Sequence, residues 1–235
     1  MSGVTVWERV RRVAGHEGRW LVSLGWWVAR RRIGVGAGDR PFGYGAAQAA
    51  IVYGLTFVCA VETAALVVLL VDHPVAHLVM LVINVYTVLT MLGLQAAAVT
   101  RPHVLGADSL RLRDGARMEV DIPLERIASV RYDLRFTKAG KQQKGAGRDG
   151  LLELAVAGQT SVTLALREPV MAVRLLGRRT EVRTVRFHAD DARGAVAAVR
   201  AAVAAVAAAA AATASESSGA AAGAEDREAV EGAGR

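Results

Sequence analysis

Two long apolar stretches, separated by three residues, constrain the fold of this chain more than any other feature. Residues 46–71 contain a single charged side chain, that of Glu62, and residues 75–99 contain none. Each stretch exceeds the roughly 20 apolar residues with which a helix crosses a bilayer. The short linker, 72–74, makes the two helices antiparallel neighbours, and Pro74 suits the first turn of the second helix. A buried hairpin in a soluble protein would carry a polar stripe, which is missing here, so the sequence predicts a transmembrane helical hairpin.

The positive charges of the chain flank this hairpin on both sides. Residues 1–45 carry 8 arginines and 3 acidic residues, and Arg101 directly follows the second stretch, whereas the linker has no lysine or arginine. Because cytoplasmic flanks of membrane helices carry the excess of lysine and arginine, we expect a multi-pass protein of the cell (plasma) membrane with both termini cytoplasmic and Asp72 outside. The charge favours anionic lipid headgroups as partners, and no nucleic-acid partner is expected.

Glu62 lies about 15 Å from Asp72 along a helix with a rise of about 1.5 Å per residue. This position is near the bilayer midplane, at the depth of Val85 on the second helix, where Asn84 and Thr87 flank it. A charged carboxylate is costly at that depth, so we expect Glu62 to be protonated or hydrogen-bonded. A structural hydrogen bond, across the hairpin or within a dimer, is the interpretation we favour. A proton or ion role is the alternative.

Residues 4–32 have the pattern of an amphipathic helix. Valines recur at helical spacing in its first part, and Trp20, Leu24 and Trp27 share a face in its second part, ahead of three arginines at 30–32. Tryptophan with arginine is typical of the headgroup layer, so we expect this helix to lie on the cytoplasmic membrane surface. Packing of the helix on the soluble domain is the alternative.

Beyond Arg101 apolar and polar residues alternate, which predicts β-strands. Asp114-Gly115 is a hairpin turn signal between two of them, and Asp190 or Asp191 is a candidate N-cap for a closing helix. The predicted strands are 109–113, 118–122, 127–136, 151–156, 161–166 and 182–187, with weaker candidates at Val104 and 170–175. Strands of this number followed by one helix favour an antiparallel barrel that the helix closes.

Three short segments of this region carry a family resemblance. They are Arg101–Leu105 (RPHVL), Asp108–Gly115 (DSLRLRDG) and Ile122–Val130 (IPLERIASV). In these segments, and in the hairpin ahead of them, the chain resembles the bacterial pleckstrin-homology-like (bPH) domain membrane proteins. Its arginine- and alanine-rich usage is also similar to that of actinobacterial integral membrane proteins. The resemblance implies a membrane α-helical hairpin plus a mainly-β soluble domain with a PH-like barrel, which acts as a scaffold or binding module and not as a catalyst.

A polar, glycine-rich loop over 138–149 carries four cations close together. They are Lys138, Lys141, Lys144 and Arg148. Because the barrel begins within a few residues of the second span, the loop stays near the inner leaflet, where each cation adds at most about 1 kcal/mol of attraction to anionic lipid. We expect contact with anionic headgroups without selectivity, and a solvated loop is the alternative. The other basic cluster of the domain comprises Arg174, Arg178, Arg179 and Arg183.

The sequence contains no catalytic motif of the G-x-S-x-G, H-E-x-x-H or Walker type. The single cysteine, Cys59, excludes an internal disulfide and a cysteine-based zinc site. His73 and His77 lie four residues apart beside Asp72, but no third ligand can be assigned. We therefore expect no enzyme activity, no cofactor and no metal site.

These features divide the chain into four regions. They are a basic amphipathic segment (1–45), the hairpin (46–100), a cytoplasmic PH-like domain with its C-terminal helix (101–212) and a tail (213–235). Serine, glycine, alanine and acidic residues dominate the tail without a period, which predicts disorder. The alanine run at 201–214 is a candidate third span, but alanine drives insertion weakly and Arg200 precedes the run, so we interpret it as the end of the domain helix.

Two functions compete on these grounds. The architecture and the resemblance favour a membrane-anchored cytoplasmic PH-like interaction or scaffold module at the inner leaflet. The alternative is a small transporter or channel subunit that uses Glu62, which requires oligomerisation because one carboxylate in two helices is too little for a transport pathway. The expected partners are the lipid bilayer and anionic headgroups, together with a protein partner or further copies of the chain.

The predicted topology has a direct test. A cysteine that replaces Asp72 should react with a membrane-impermeant thiol reagent added to intact cells, because the turn is outside. A cysteine that replaces Ser215 should react only after the cells are opened. Labelling of intact cells at position 215 and not at position 72 would reverse the orientation.

Overall fold

The structure is a computed structural model that describes residue 18 and residues 21–115, 118–136, 150–173 and 179–232. Its dominant feature is a helical hairpin of α1 (Ala46–Leu69) and α2 (Pro74–Thr100). Pro74 occupies the first turn of α2, as the sequence predicts, and the helix ends agree with the predicted ones to within two residues. No residue of α1 is buried, and the apolar side chains of both helices face outward over most of their length. The predicted hairpin is confirmed, and both helices are long and apolar enough to cross a membrane.

In the described part of the chain, eight strands and a 3-10 turn form the β domain. They are β1 (Arg40–Phe42), β2 (His103–Leu105), β3 (Ser109–Asp114), β4 (Met118–Pro123), the turn Leu124–Arg126, β5 (Ile127–Phe136), β6 (Leu151–Leu154), β7 (Gln159–Val173) and β8 (Arg179–Phe187). Two four-stranded sheets result, in the orders β1-β2-β3-β4 and β5-β7-β8-β6. Alternate residues of both sheets meet in one core, in which Leu110, Ile122, Leu164 and Val185 are fully buried. The predicted mainly-β domain is confirmed.

Two details of the predicted barrel are wrong. The described strands form two sheets and no closed barrel, and β6 pairs with β8 in parallel rather than antiparallel. The pair is parallel because the chain reverses twice between these strands: β6 joins β7 through a tight turn at 157–158, and β7 then pairs antiparallel with β8. In the sheet β8 lies between β7 and β6, which leaves β6 at the sheet edge. Pattern alone identifies strands but does not specify which strands pair.

A second correction concerns the boundary at residue 45. Strand β1 precedes the hairpin, yet it pairs antiparallel with β2, which follows the hairpin, and Phe42 lies opposite His103. The two helices of an antiparallel hairpin begin and end at the same level, so the segments just before and just after the hairpin lie close together. The β domain therefore begins before the hairpin, and a fragment that starts at residue 101 lacks its first strand.

The closing helix α3 (Ala192–Gly232) begins where the sequence predicts. The Asp191 side chain accepts a hydrogen bond of 2.9 Å from the Gly194 N–H, which makes Asp191 the cap. Val196 and Val199 are buried in the domain core. The helical backbone continues to Gly232, so the predicted disordered tail is corrected over residues 213–232. Alanine is the strongest helix former, which favours this extension.

The first 22 residues of α3, Ala192–Thr213, are also long and apolar enough to cross a membrane. However, the first turns of the helix already pack in the domain core. The Arg200 guanidinium donates two hydrogen bonds, of 2.9 and 3.1 Å, to the carbonyl oxygen of Val130 in β5. A helix held in this way cannot also be surrounded by lipid over its full length, so we assign α3 to the β domain.

Of the predicted amphipathic helix at 4–32, residues 21–28 are helical, and most of the rest lies outside the described residues. Ser23 on this segment is fully buried and accepts a hydrogen bond of 3.2 Å from the Arg101 side chain, just past the end of α2. Leu21, Val22, Trp26 and Val28 are exposed. One face of the segment thus packs against the end of the hairpin, and its apolar face is exposed.

Candidate functional site at the junction of hairpin and β domain

Tyr44 and His103 mark the points where the chain enters α1 and leaves α2. Both side chains are buried, and their rings stack with centroids 4.5 Å apart. The Tyr44 hydroxyl accepts a hydrogen bond of 2.8 Å from the Gly115 N–H in the β3–β4 turn. Burial raises the pKa of the Tyr44 phenol above its ordinary value, so this group stays protonated. The stack therefore joins the chain before the hairpin to the chain after it.

His103 is held as a neutral imidazole by two main-chain groups. Its Nδ1 accepts a hydrogen bond of 3.1 Å from the Arg113 N–H, so the ring proton is on Nε2, which donates to the His188 carbonyl at 3.0 Å. The Phe187 ring packs edge-on, with centroids 5.1 Å apart. Burial lowers the pKa of His103 to about 3, because no carboxylate compensates a charge there. The ring links β2, β3 and the end of β8 in one contact.

Asp190 connects the β domain to the first membrane helix. Its carboxylate lies 3.2 and 3.4 Å from the N–H of Ala46, the first residue of α1, and its own N–H donates to the Gly43 carbonyl at 2.8 Å. Gly45 at the N-cap of α1 has no side chain to do this. A carboxylate at a helix N-terminus satisfies a free N–H and interacts favourably with the helix dipole. Asp190 therefore caps α1 from 144 residues away in sequence.

Two glutamines join the ends of the helices that meet the β domain. The Gln95 side chain on α2 is buried, and its Nε2 donates to the Gly45 carbonyl at 3.1 Å. Its Oε1 accepts a hydrogen bond of 2.9 Å from Gln48 Nε2 on α1. These bonds fix α1 against α2 at the level where both enter the β domain. Because amide groups inside an apolar helix pair need partners, the arrangement also satisfies both side chains.

These contacts form a closed junction, comprising Tyr44, Gln95, His103, His188 and Asp190. Both imidazole nitrogens of His103 and the Tyr44 hydroxyl have hydrogen-bond partners, which leaves them unsuited to acid–base chemistry on a substrate. Burial lowers the pKa of His188, and the Asp190 carboxylate, 3.7 Å away, opposes that shift. Among the described residues no group of histidine, cysteine, aspartate and glutamate could hold a metal ion. The junction therefore fixes the β domain to the hairpin.

The structure does not bring Glu62 together with Asn84 or Thr87 within the hairpin, and a bond from Glu62 within a dimer stays a prediction. Asn84 Nδ2 donates instead to the Thr63 hydroxyl at 3.0 Å, and Thr87 donates to the Ile83 carbonyl of its own helix at 2.8 Å. Successive residues of a helix are rotated by about 100°, so a helix that directs Thr63 toward α2 turns Glu62 away. Glu62 is exposed on the outer surface of α1 and has no hydrogen bond to another described residue. The sequence does offer Thr63 as a candidate partner for Asn84, because its hydroxyl directly follows Glu62 in the chain.

The predicted lipid-contact residues Lys138, Lys141, Lys144 and Arg148 lie outside the described residues, as do Arg174 and Arg178 of the second basic cluster. The strand that leads into the loop is described. Phe136 at the end of β5 pairs with Gln159, next to the turn whose Val156 packs against Tyr44. The loop therefore leaves β5 at the end of the domain that faces the hairpin.

The same strand presents an apolar surface that the sequence analysis did not single out. Tyr132, Leu134 and Phe136 alternate along β5 and are all exposed, Phe136 to 74%. Only β7 pairs with β5 among the described strands, and α3 contacts β5 at Val130 through Arg200, so no described strand pairs with the other edge of β5 at 132–136. Exposed apolar side chains on an open edge are typical of a strand that receives a partner. We call this the β5 edge.

Comparison of the chain with protein-family models, with curated proteins and with solved structures finds no match. The resemblance to pleckstrin-homology-like membrane proteins therefore stays a prediction. The case for a function rests on the junction, on the β5 edge and on the placement of charge.

The outward position of Glu62 predicts which intramembrane side chain stabilises the hairpin. Asn84→Leu should lower the free energy of unfolding in detergent by about 0.6–2 kcal/mol, because it removes the hydrogen bond to Thr63. Glu62→Leu should leave the stability of the monomer unchanged or raise it. Thr87→Val is the matched control, since its hydroxyl bonds only within its own helix. A larger loss for Glu62→Leu than for Asn84→Leu would contradict this arrangement.

The neutral His103 predicts a dependence of stability on pH. The unfolded histidine has a pKa near 6.5 and the folded one a pKa of about 3, so below pH 6.5 the unfolded state binds a proton that the folded state excludes. The free energy of unfolding should fall with a slope approaching about 1.4 kcal/mol per pH unit between about pH 6 and 3 from this group alone. His103→Gln should reduce the slope in urea unfolding of the detergent-solubilised protein. The exposed His73→Gln should not. Equal slopes for His103→Gln and the unchanged protein would contradict the assignment.

Proposed function

We propose that this protein is a membrane-anchored interaction or scaffold module, whose PH-like β domain is held at the inner leaflet and binds a protein partner. The junction is the observation that carries the proposal. A domain on a flexible tether would not need Asp190 to cap α1, or His103 and Tyr44 to stack between β2 and the start of α1. These contacts fix the direction in which the β domain faces relative to the bilayer, which matters for a module that must meet a partner on the membrane.

The β5 edge is the surface we propose for that partner. An extended segment that pairs with an open strand gains main-chain hydrogen bonds, and exposed side chains on alternate positions add specificity. Leu134 and Phe136 supply the apolar part, and the edge ends beside the hairpin. A partner that is itself on or in the membrane would meet this edge without leaving the bilayer surface. The basic loop after Phe136 would add attraction to anionic headgroups there.

Site-specific photocrosslinking in cells tests the proposal. A photoreactive residue at Leu134 of the full chain should give a discrete protein adduct, because the partner strand lies against it. Phe136→Glu should remove the adduct, since a charge on the apolar edge opposes docking. Met171, an exposed apolar residue on β7 of the same sheet, is the matched control position and should give no such adduct. Adducts to lipid alone at Leu134, or the same adduct from position 171, would reject a protein-binding β5 edge.

A small transporter or channel subunit is the second candidate, and the outward Glu62 is the observation that favours it. An intramembrane carboxylate without a partner in its own hairpin is expensive, and in several copies it would line a pathway between chains. Ion or proton flux through vesicles that contain the purified chain would support this function if Glu62→Gln abolished it. Flux that survives Glu62→Gln, or its absence from the unchanged protein, would exclude it.

A further inference from the structure

A cavity of about 490 Å³ lies between the helical segment 21–28 and the last turn of α2. Trp27 and Val99 form apolar parts of its wall, and three consecutive arginines, Arg30, Arg31 and Arg32, line it as well. A cavity that combines an aromatic ring with clustered guanidinium groups is suited to an anion that carries an apolar portion. Guanidinium groups are donors whose planar fork matches the oxygens of a phosphate.

The three guanidinium groups meet no carboxylate among the described residues. None of them forms a hydrogen bond or ion pair with another described residue, and all three side chains are exposed. Several arginines of the β domain are paired with carboxylates: Arg111 and Arg113 contact Glu119, and Arg186 contacts Glu153. Three adjacent unpaired cations repel each other, so the cluster gains from an external anion. Their clustering beside an aromatic ring in one cavity indicates that these three arginines are directed at a ligand.

The backbone of the cluster is fixed without help from its side chains. The helical segment ends with the N–H of Arg31 donating to the Trp26 carbonyl and that of Arg30 to the Trp27 carbonyl, both at 2.9 Å. Arg30 has a φ of 55°, at a position where glycine is usual. Just beyond, the N–H of Ile33 donates to the Thr100 carbonyl at 2.7 Å. A left-handed arginine costs stability, and such strain is commonly retained where it serves a site.

The cavity lies at the depth of the lipid headgroups. The 27 residues of α2 span about 40 Å, about 10 Å more than the hydrocarbon core needs. The outer part of α2 is exposed, whereas burial begins at Gly93 near its inner end. Val99 and Thr100 therefore lie beyond the hydrocarbon, beside the headgroups. Trp26 and Trp27 suit the same layer.

A second, more open cavity of about 560 Å³ lies along the same segment. Val22, Gly25, Trp26 and Ala29 line it, and Arg31 is shared with the first cavity. Its wall is apolar apart from that arginine. One molecule with an anionic head and an apolar tail would thus occupy both cavities, with Arg31 between its two parts.

We propose that the arginine cavity binds the phosphate of an anionic phospholipid, whose acyl chain lies along the second cavity. This inference rests on the proposed membrane attachment of the hairpin, and it is independent of the β5 edge. It also differs from the non-selective attraction expected of the loop at 138–149, because the cluster has a fixed backbone and a shaped wall. A water-soluble phosphate compound carries the same chemistry, and the experiment separates the two.

The test uses the purified, delipidated full chain in detergent, with equimolar dioleoyl phosphatidylglycerol and dioleoyl phosphatidylcholine. The acyl chains are identical, so retention measured by native mass spectrometry reports on headgroup charge alone. We expect phosphatidylglycerol to be retained over phosphatidylcholine by about tenfold. The combined Arg30→Gln, Arg31→Gln and Arg32→Gln variant should reduce this preference to near unity. The matched control, Arg131→Gln, Arg135→Gln and Arg167→Gln, removes the same charge from the β domain and should keep it.

Arg30→Gly is a second variant, chosen because glycine should keep the protein folded while it removes the Arg30 charge. Glycine relieves the positive φ, so the melting temperature should rise while the preference for phosphatidylglycerol falls. Added inorganic phosphate, compared with chloride at equal ionic strength, should leave the bound lipid in place.

Three results would overturn the proposal. They are equal retention of both lipids by the unchanged protein, an equal loss of preference in the control variant, and displacement of phosphatidylglycerol by inorganic phosphate. The last would assign the cavity to a soluble phosphate compound. Failure of the crosslinking experiment at Leu134 would leave the lipid preference untouched, so the two proposals fail separately.

Discussion

The first N–H groups of a helix have no partner within the helix, and at the boundary of a membrane they must find one elsewhere. In this protein Asp190 accepts from the N–H of Ala46, while Gln95 donates to the Gly45 carbonyl. The cap on this N–H therefore comes from the far end of the β domain, while the neighbouring helix binds the carbonyl just before α1. Asp190 can cap α1 only when the β domain is folded, because the β domain holds Asp190 beside Ala46. The position of the hairpin and the folding of the β domain therefore depend on each other.

The buried His103 also couples the hairpin to the β domain. The ring receives the Arg113 N–H and donates to the His188 carbonyl while it stacks on Tyr44. It thereby joins both sheets to the residues that enter the hairpin. In a buried site without a carboxylate only the neutral ring is tolerated. The β domain is thus held in one orientation against the hairpin.

Charged side chains in this protein differ in whether another side chain or a main-chain group pairs with them. Within the β domain, several arginines have a protein partner: Arg186 faces Glu153, and Arg200 faces the Val130 carbonyl. Beside the hairpin, the arginines at 30–32 are left without such partners among the described residues. On the outer surface of α1, Glu62 is likewise without one. Unpaired charge at the edge of a bilayer is compensated by lipid, whereas unpaired charge within it calls for another protein surface.

The sequence by itself determined the local elements. Continuous apolar runs of more than 20 residues allow only a helical hairpin, and the predicted strand 127–136 matches β5 at both ends. The cap at Asp191 and the turn at Asp114-Gly115 also follow from local chemistry, in which a few neighbouring residues decide the backbone. These features require no knowledge of distant contacts.

Only the tertiary structure decided which distant elements meet. The pairing of β1 with β2, the parallel pair of β6 and β8, and the capping of α1 by Asp190 join residues that no sequence pattern connects. The same holds for Glu62, whose depth in the membrane follows from its position in the sequence but whose direction does not. A rotation of α1 by one residue exchanges Thr63 for Glu62 on the face toward α2, and the packing of the two helices fixes that rotation, since the local sequence is compatible with either.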